Sequence, residues 1–386
     1  MSATSTSAEP VNTVDRNTDA TSIEEGMALC LSGGGYRAMV FHVGVLIRLN
    51  EVGILSQLKR VSSVSGGSIT AAVLGMNWKR LGFANGVAAN LDAQLVQPIR
   101  KLAGETIDSG SIITGLLTPG KTIAEKIAKA YKKHLFGDAT LQDLPADTEG
   151  PRFVINATNV QTGALWRFSR PYMGDYRVGR VMNPSTSLAV SVGASSAFPP
   201  VLSPAVVSME GQSFVPDPTA DLQRKPFTDE VVLSDGGVYD NLGLETAWKR
   251  YRTIFVSDGG GKMQPQPVPD HNWAQHGLRI NEIIDNQVRS LRKRQLIDAF
   301  KVKSAHDGTY WGIRTHLNDY PKPGILPCPE DKVQELASTP TRLQKLEARH
   351  QERLMNWGYA VCAAALDSYF MHSPEVPANF PYPGGI

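Results

Sequence analysis

Two sharp turns, each joining a short apolar run to a helical one, constrain this chain more than any other feature. The first is Leu31-Ser32-Gly33-Gly34-Gly35-Tyr36-Arg37-Ala38, after the β-prone residues 27–31. The second is Ser63-Val64-Ser65-Gly66-Gly67-Ser68, at the end of residues 58–64. Residues 38–49 are apolar almost throughout, the pattern of a helix buried on every side, and Gly53 ends it. From residue 69 to 78, Ile69, Ala72, Val73 and Met76 recur at helical spacing. A β-α-β-α unit of this kind implies parallel strands with right-handed crossovers. The expected fold class is α/β, with a mostly parallel central sheet flanked by helices.

A serine on a strained strand-to-helix turn holds its hydroxyl clear of the sheet, and small neighbours are needed because the turn leaves no room for side chains. Ser65 sits in a Gly-x-Ser-x-Gly pattern in which Ser63 replaces the first glycine. Ser62, Ser63 and Ser68 compete as nucleophiles, but only Ser65 has a strand before it, a glycine two positions later and a helix after that. Gly33, Gly34 and Gly35 lack the Gly-Lys-Ser/Thr ending of a phosphate loop and the glycine spacing of a dinucleotide site. Glycines at a helix start instead expose N–H groups reinforced by the helix dipole, which suits the oxyanion of an acyl transfer. Arg37 holds that loop or attracts an anionic headgroup.

A serine needs a base. Of eight histidines, six (His271, His276, His306, His316, His350 and His372) follow Asp235, so a Ser–Asp–His order stays open by counting. None of the six has a strand-end setting. Asp235 has one, in Val231-Val232-Leu233-Ser234-Asp235-Gly236-Gly237, and Asp258 repeats it in Ser257-Asp258-Gly259-Gly260.

Gly33-Gly34-Gly35-Tyr36-Arg37-Ala38, Ser63-Val64-Ser65-Gly66-Gly67 and Asp235-Gly236-Gly237 occur in that order, with a small-residue block at 194–200 between the last two. The set resembles the patatin-like phospholipase family, in particular its bacterial members, over residues 27 to 260 and more loosely at Asn356-Trp357-Gly358-Tyr359. The resemblance implies a three-layer α/β/α architecture and a Ser–Asp dyad without histidine, with Ser65 as nucleophile and Asp235 as base. It implies N–H groups around Gly34 and Gly35 as the oxyanion hole, and phospholipids or other acyl lipids as substrate. The continuation Val238-Tyr239-Asp240-Asn241-Leu242-Gly243 resembles the family's sequence after its catalytic aspartate and favours Asp235 over Asp258. Ser63, and Ala38 where the family often has glycine, depart from its pattern. An acyltransferase or thioesterase on the same residues, or a catalytically silent lipid-binding protein, are the alternatives.

Elsewhere, residues 1–26 read as a polar disordered tail and 27–386 as one catalytic domain with a helical C-terminal part from about 270. Residues 152–157 and 164–168 predict a hairpin around Gln161-Thr162-Gly163. Residues 121–134 form a basic amphipathic helix, with Ile123, Ile127 and Tyr131 on one face; such a helix lies on anionic lipid or, more ordinarily, covers a core. Ile283, Ile284, Val288 and Leu291 mark a further helix whose basic end (Arg289, Arg292, Lys293, Arg294) suits the helix dipole. With a net charge of +2, no nucleic-acid partner is expected. A last long helix is predicted over 341–370. Cys30 and Cys362 lie in apolar runs and read as buried free thiols, Cys328 completes an odd set, and no metal spacing or cofactor motif appears. With neither a secretion signal nor a span of some eighteen apolar residues, the expectation is a cytoplasmic protein, or one exported by a route that uses no cleaved signal, that touches membrane only transiently at its surface. Oligomeric state is left open.

Overall fold

The computed structural model of the chain describes residues 23–107, 123–302, 306–371 and 376–386. Most of the expected tail, as well as Lys121 and His372, lies outside the described residues. The unit around the two turns forms as expected: β1 (Glu24–Leu31), α1 (Gly35–Glu51), β2 (Leu58–Val64) and α2 (Gly66–Met76). β1 opens ahead of residue 27, because the Glu24 N–H donates to the Arg250 carbonyl at 2.7 Å.

The main sheet continues with β3 (Arg152–Asn159), β4 (Ala164–Phe168), β5 (Tyr172–Asp175), β6 (Gly179–Met182), β7 (Ala205–Ser208), β8 (Glu230–Asp235), β9 (Tyr251–Asp258) and β10 (Asp307–Gly312). Its order is β10-β9-β1-β2-β3-β4-β5-β6. The five strands from β10 to β3 are mutually parallel, and β3 to β6 form an antiparallel meander that begins with the expected hairpin. Alternate residues of β1 enter two separate cores: Leu29 and Leu31 pack with α1 and α2, whereas Ala28 and Cys30 pack with Leu242, Leu244 and Leu296. A strand apolar on both faces lies between two layers of helices, which gives the three-layer α/β/α arrangement.

β8 departs from the parallel pattern, and its placement builds the site. β4 covers one edge of β3 along residues 155–159. On the other edge β2 pairs parallel with Arg152 to Asn156, and β8 pairs antiparallel with Ala157 to Asn159. Two strands that run in opposite directions along one edge meet end to end. Val64 is opposite Asn156 and Asp235 is opposite Ala157.

Further helices are α3 (Ile123–Tyr131), α4 (Leu188–Ser195), α5 (Trp273–Val302) and α6 (Ala348–Tyr369). α6 starts seven residues later than the predicted helix, keeps Arg349, Glu352 and Arg353 in its first half, and buries its apolar half against α1. The tetrapeptide at 356–359 carries this docking. Gly358 lets the Phe41 carbonyl approach where a Cβ would overlap it, Trp357 Nε1 donates to the Ile313 carbonyl at 2.9 Å, and the Tyr359 hydroxyl donates to Glu51 at 2.6 Å. In α3, Ile123, Ile127 and Tyr131 are buried, so this helix covers a core and the lipid-surface reading of it falls away. α5 behaves otherwise. Among its described residues Leu296 alone is fully buried, while Ile280, Ile283, Ile284, Val288 and Leu291 are exposed and Trp273 is 85% exposed. Cys30 and Cys362 are buried free thiols and Cys328 is half-buried. No helix among the described residues is long and apolar enough to cross a membrane.

Candidate active site

Ser65 follows β2 with φ 51° and ψ −120°. A left-handed φ on a residue with a Cβ is costly, about 1–3 kcal/mol, and persists only where its surroundings enforce it. Here they do. A Cβ on Gly66 would overlap the Gly35 carbonyl oxygen, so the two turns press backbone on backbone. The Ser65 N–H donates to Ser195 Oγ at 3.0 Å, and Ser195 Oγ donates in turn to the Asn156 carbonyl at 2.6 Å. The competing serines are fully buried and occupied. Ser62 Oγ donates to the Gly243 carbonyl (2.6 Å), Ser63 Oγ to the Val154 carbonyl (3.3 Å) and Ser68 Oγ to Ser63 Oγ (3.0 Å). Only Ser65 is partly exposed.

Asp235 ends β8, 1% exposed. Its N–H donates to the Ala197 carbonyl at 2.9 Å, and its Oδ1 accepts the Gly237 N–H at 2.7 Å. Its Oδ2 is buried without a hydrogen-bond partner among the described residues. Burial pushes this carboxyl up to about 7; the Gly237 N–H and the nearby Ser65 hydroxyl pull the other way, and Asp285 on α5 adds to the rise. The serine is thus close enough to favour the charged carboxylate, while falling short of a hydrogen bond of normal geometry.

In the glycine loop, Gly34 (φ 143°) and Gly35 (φ 58°) take conformations that a side chain would disfavour. The Gly33 N–H is already committed to the Asn241 carbonyl at 3.1 Å, so Gly33 drops out as an oxyanion donor. What it contributes is clearance, since a Cβ there would lie 3.1 Å from Ser65 Cβ. The N–H groups of Gly34 and Gly35 donate to no acceptor among the described residues. Arg37 is buried. Its Nε and Nη2 donate to the Gly259 carbonyl (3.2 and 2.9 Å), and its Nη1 to the carbonyls of Ala337 (3.1 Å) and Thr339 (2.8 Å). Closed off from solvent in this way, it supports the loop; the headgroup role does not fit.

Asp258 has different company. It pairs with Lys293, accepts the Tyr310 hydroxyl at 2.8 Å and the Gly260 N–H at 2.9 Å, and is held well below the usual carboxylate range by Lys293 and Arg289 despite its burial. A carboxylate so tied is a counter-ion. Among the described residues no histidine bonds to Ser65 or Asp235. His306 bonds the Tyr251 carbonyl and stacks on Trp248, His316 faces Glu330, and His350 bonds Thr339. His42, buried between Ser257 Oγ and the Ser32 carbonyl, is depressed by burial to about 4 and stays neutral.

Three residues that the sequence reading did not single out complete the site. Ser195 and Asn156 brace the serine turn, and Asp285 bears on Asp235. The small-residue block at 194–200 was the available signal for Ser195. Asn156 and Asp285 carry no local mark.

An α/β sheet with a strained serine turn, a glycine loop and a buried aspartate gathered at its strand ends defines the class of this chain. Its sequence matches the patatin-like phospholipase family over residues 29–248, and the chain belongs to that family. No curated protein matches it. Among solved structures it is similar to human GIVD cytosolic phospholipase A2 in complex with methyl γ-linolenyl fluorophosphonate inhibitor and terbium chloride, with a TM-score of 0.51, 14% identity, and coverage of 88% of this chain and 57% of that one. The same human protein with methyl γ-linolenyl fluorophosphonate gives 0.49, 15%, 88% and 57%. VipD from Legionella pneumophila gives 0.37, 16%, 89% and 67%. The chain thus spans little more than half of the human phospholipase.

Proposed function

We propose that the protein is a lipid acyl hydrolase, phospholipase A in type, cleaving carboxylic ester bonds of phospholipids or other acyl lipids. The observation that carries this reading is the meeting of the strained Ser65 with the buried Asp235, whose Oδ2 has no hydrogen-bond partner among the described residues. In the proposed reaction Asp235 takes the Ser65 proton as Oγ attacks the ester carbonyl carbon. The N–H groups of Gly34 and Gly35 hold the oxyanion that forms. The C–O bond to the alcohol then breaks, the leaving oxygen takes the proton from Asp235, and an acyl-Ser65 ester remains. Asp235 next deprotonates a water, which attacks that ester; the acyl–Oγ bond breaks, Ser65 Oγ takes the proton back from Asp235, and the fatty acid is released.

Transient contact with a lipid surface is supported by the exposed apolar residues of α5, the helix that bears Asp285. The human phospholipase A2 that shares the fold binds a lipid-like fluorophosphonate, and the same class of probe tests this chain. A fluorophosphonate is expected to label Ser65, and Ser65→Ala and Asp235→Asn to be folded but inactive on a glycerophospholipid. Full activity in Asp235→Asn, with loss in a histidine variant, would replace the dyad by a triad. Failure to label folded protein would leave a lipid-binding protein without catalysis.

A further inference from the structure

The basic run on α5 is not where a helix dipole explains it. The helix continues to Val302, so Arg289 to Arg294 lie two turns and more before its end, beyond the last turn in which the dipole acts. Arg289 and Lys293, one turn apart, instead line a cavity of about 340 Å³ together with Lys262 and Arg314. Among the described residues Asp258 is the one carboxylate in its wall, and Asp285, outside the lining, lies 3.6 Å from Arg289. Four cations against two carboxylates leave an excess of two positive charges. Buried Arg37, close behind Gly261, adds another.

The protein relieves this excess only in part, through the carbonyls of Gly261 and Ala337, which accept from Arg289 (2.9 Å) and Arg314 (2.6 Å). Among the described residues Lys262 has no ion pair, and the buried Nε groups of Arg289 and Arg314 have no hydrogen-bond partner. Arg314 is held below its usual range first by burial and then, against the pull of Asp258, by Arg289; Arg37 is depressed similarly, to about 10. Mutual repulsion of this kind is what a bound anion removes.

We propose that this cavity binds a dianionic phosphomonoester, carried on a lipid headgroup or free in solution. Arginine forks and a lysine match phosphate oxygens in number and geometry, and a dianion balances the charge of the wall. The volume, several times that of inorganic phosphate, leaves room for a larger polar group bearing the phosphate. The cavity lies at the carboxyl ends of β9 and β10, where parallel sheets place ligands. Ser65 follows β2, two and three strands away, a separation of roughly 10–15 Å at the usual strand spacing. The two sites are joined by Gly259, whose carbonyl holds Arg37 and abuts Gly34.

The inference rests on the cavity and not on hydrolysis, so binding tests it directly. Calorimetric titration of the wild-type protein with inorganic phosphate is expected to show one site, weakened about tenfold in Arg289→Gln, as suits loss of a charge-assisted contact. Lys262→Ala, which removes an exposed side chain with no ion pair among the described residues and does not threaten the fold, is expected to weaken it about threefold. Flotation with phosphatidylcholine vesicles containing either phosphatidic acid or phosphatidylglycerol separates the sources. Preference for phosphatidic acid, competed by inorganic phosphate, supports a headgroup; phosphate binding without that preference supports a free anion. No phosphate binding at millimolar concentration, or binding that neither substitution weakens, overturns the proposal.

Discussion

Ser65 and Asp235 are brought together by one strand: Val64, which precedes the serine, pairs with Asn156, and Asp235 pairs with the next residue, Ala157. Their spacing is therefore set by ladder hydrogen bonds in the middle of the sheet. Such a spacing cannot give by half an ångström to suit a longer side chain. Asp235→Glu keeps the carboxylate but adds a methylene that the buried site cannot absorb. It is expected to lower kcat at least about 100-fold, the cost of a misplacement near 1 Å, as measured on a short-chain ester.

With Asp235 as the proposed base, the pH dependence of kcat/KM reports its charge. A base must be ionised, and burial raises this carboxyl to about 7. Activity is expected to fall about tenfold per pH unit on the acid side of 7 and to level off above it. Asp285 contributes to that rise from α5. Asp285→Asn is expected to move the acid limb to lower pH; an unmoved limb would show that the charge on α5 is not felt at the site.

Stability runs opposite to activity at this position. A carboxyl raised from 3.8 to about 7 holds its proton in the folded state at pH values where the unfolded chain has lost it. The stability it contributes is present below 3.8 and lost as pH rises through 7. Asp235→Asn keeps the shape and the acceptor for the Gly237 N–H without the buried charge. It is expected to be inactive yet more stable than wild type by a few kcal/mol above pH 7, with the difference shrinking towards pH 4. Thermal midpoints across that range check it.

Asp258 reverses each sign. Its pKa is depressed, so it stabilises above the ordinary carboxylate range and that contribution is lost as pH falls. Asp258→Asn leaves Lys293 without its counter-ion and is expected to cost about 2–3 kcal/mol at neutral pH. That is less than a fully buried pair, because Lys293 is a third exposed. Fluorophosphonate labelling of Ser65 is expected to persist in the folded variant. The same four residues, Ser-Asp-Gly-Gly, thus occur once as a candidate base and once as a counter-ion.

That contrast marks what the sequence could tell. β1, α1, β2 and α2 were legible because burial on all sides and glycine turns are local properties of the chain. Choosing Asp235 over Asp258 needed the following residues, and the structure gives those residues their work: the Asn241 carbonyl holds Gly33, and the Gly243 carbonyl holds Ser62. The antiparallel course of β8 was not legible, since a strand's direction depends on its partner and not on its own composition. The exposure of α5 was hidden for a related reason. An apolar stripe at helical spacing reads the same whether a core covers it or nothing in the chain does.

Ser195 gives the last test, because it acts on the serine only through the backbone. Its hydroxyl accepts the Ser65 N–H (3.0 Å), donates to the Asn156 carbonyl (2.6 Å) and lies 3.0 Å from Ser68 Oγ. Asn156 in turn bonds Ser62 Oγ and the Ser63 carbonyl at 2.9 Å each, so one network braces the turn from both sides. Ser195→Ala leaves the part-buried Ser65 N–H without its acceptor, at a residue held at φ 51°. That costs about 1–3 kcal/mol, and relaxation of the strained turn is its easiest relief. The expected result is a kcat lower by about tenfold with KM unchanged, and slower fluorophosphonate labelling of Ser65 in the same proportion. A loss of stability with kcat and labelling intact would make Ser195 a packing residue and place the origin of the strain elsewhere in the turn.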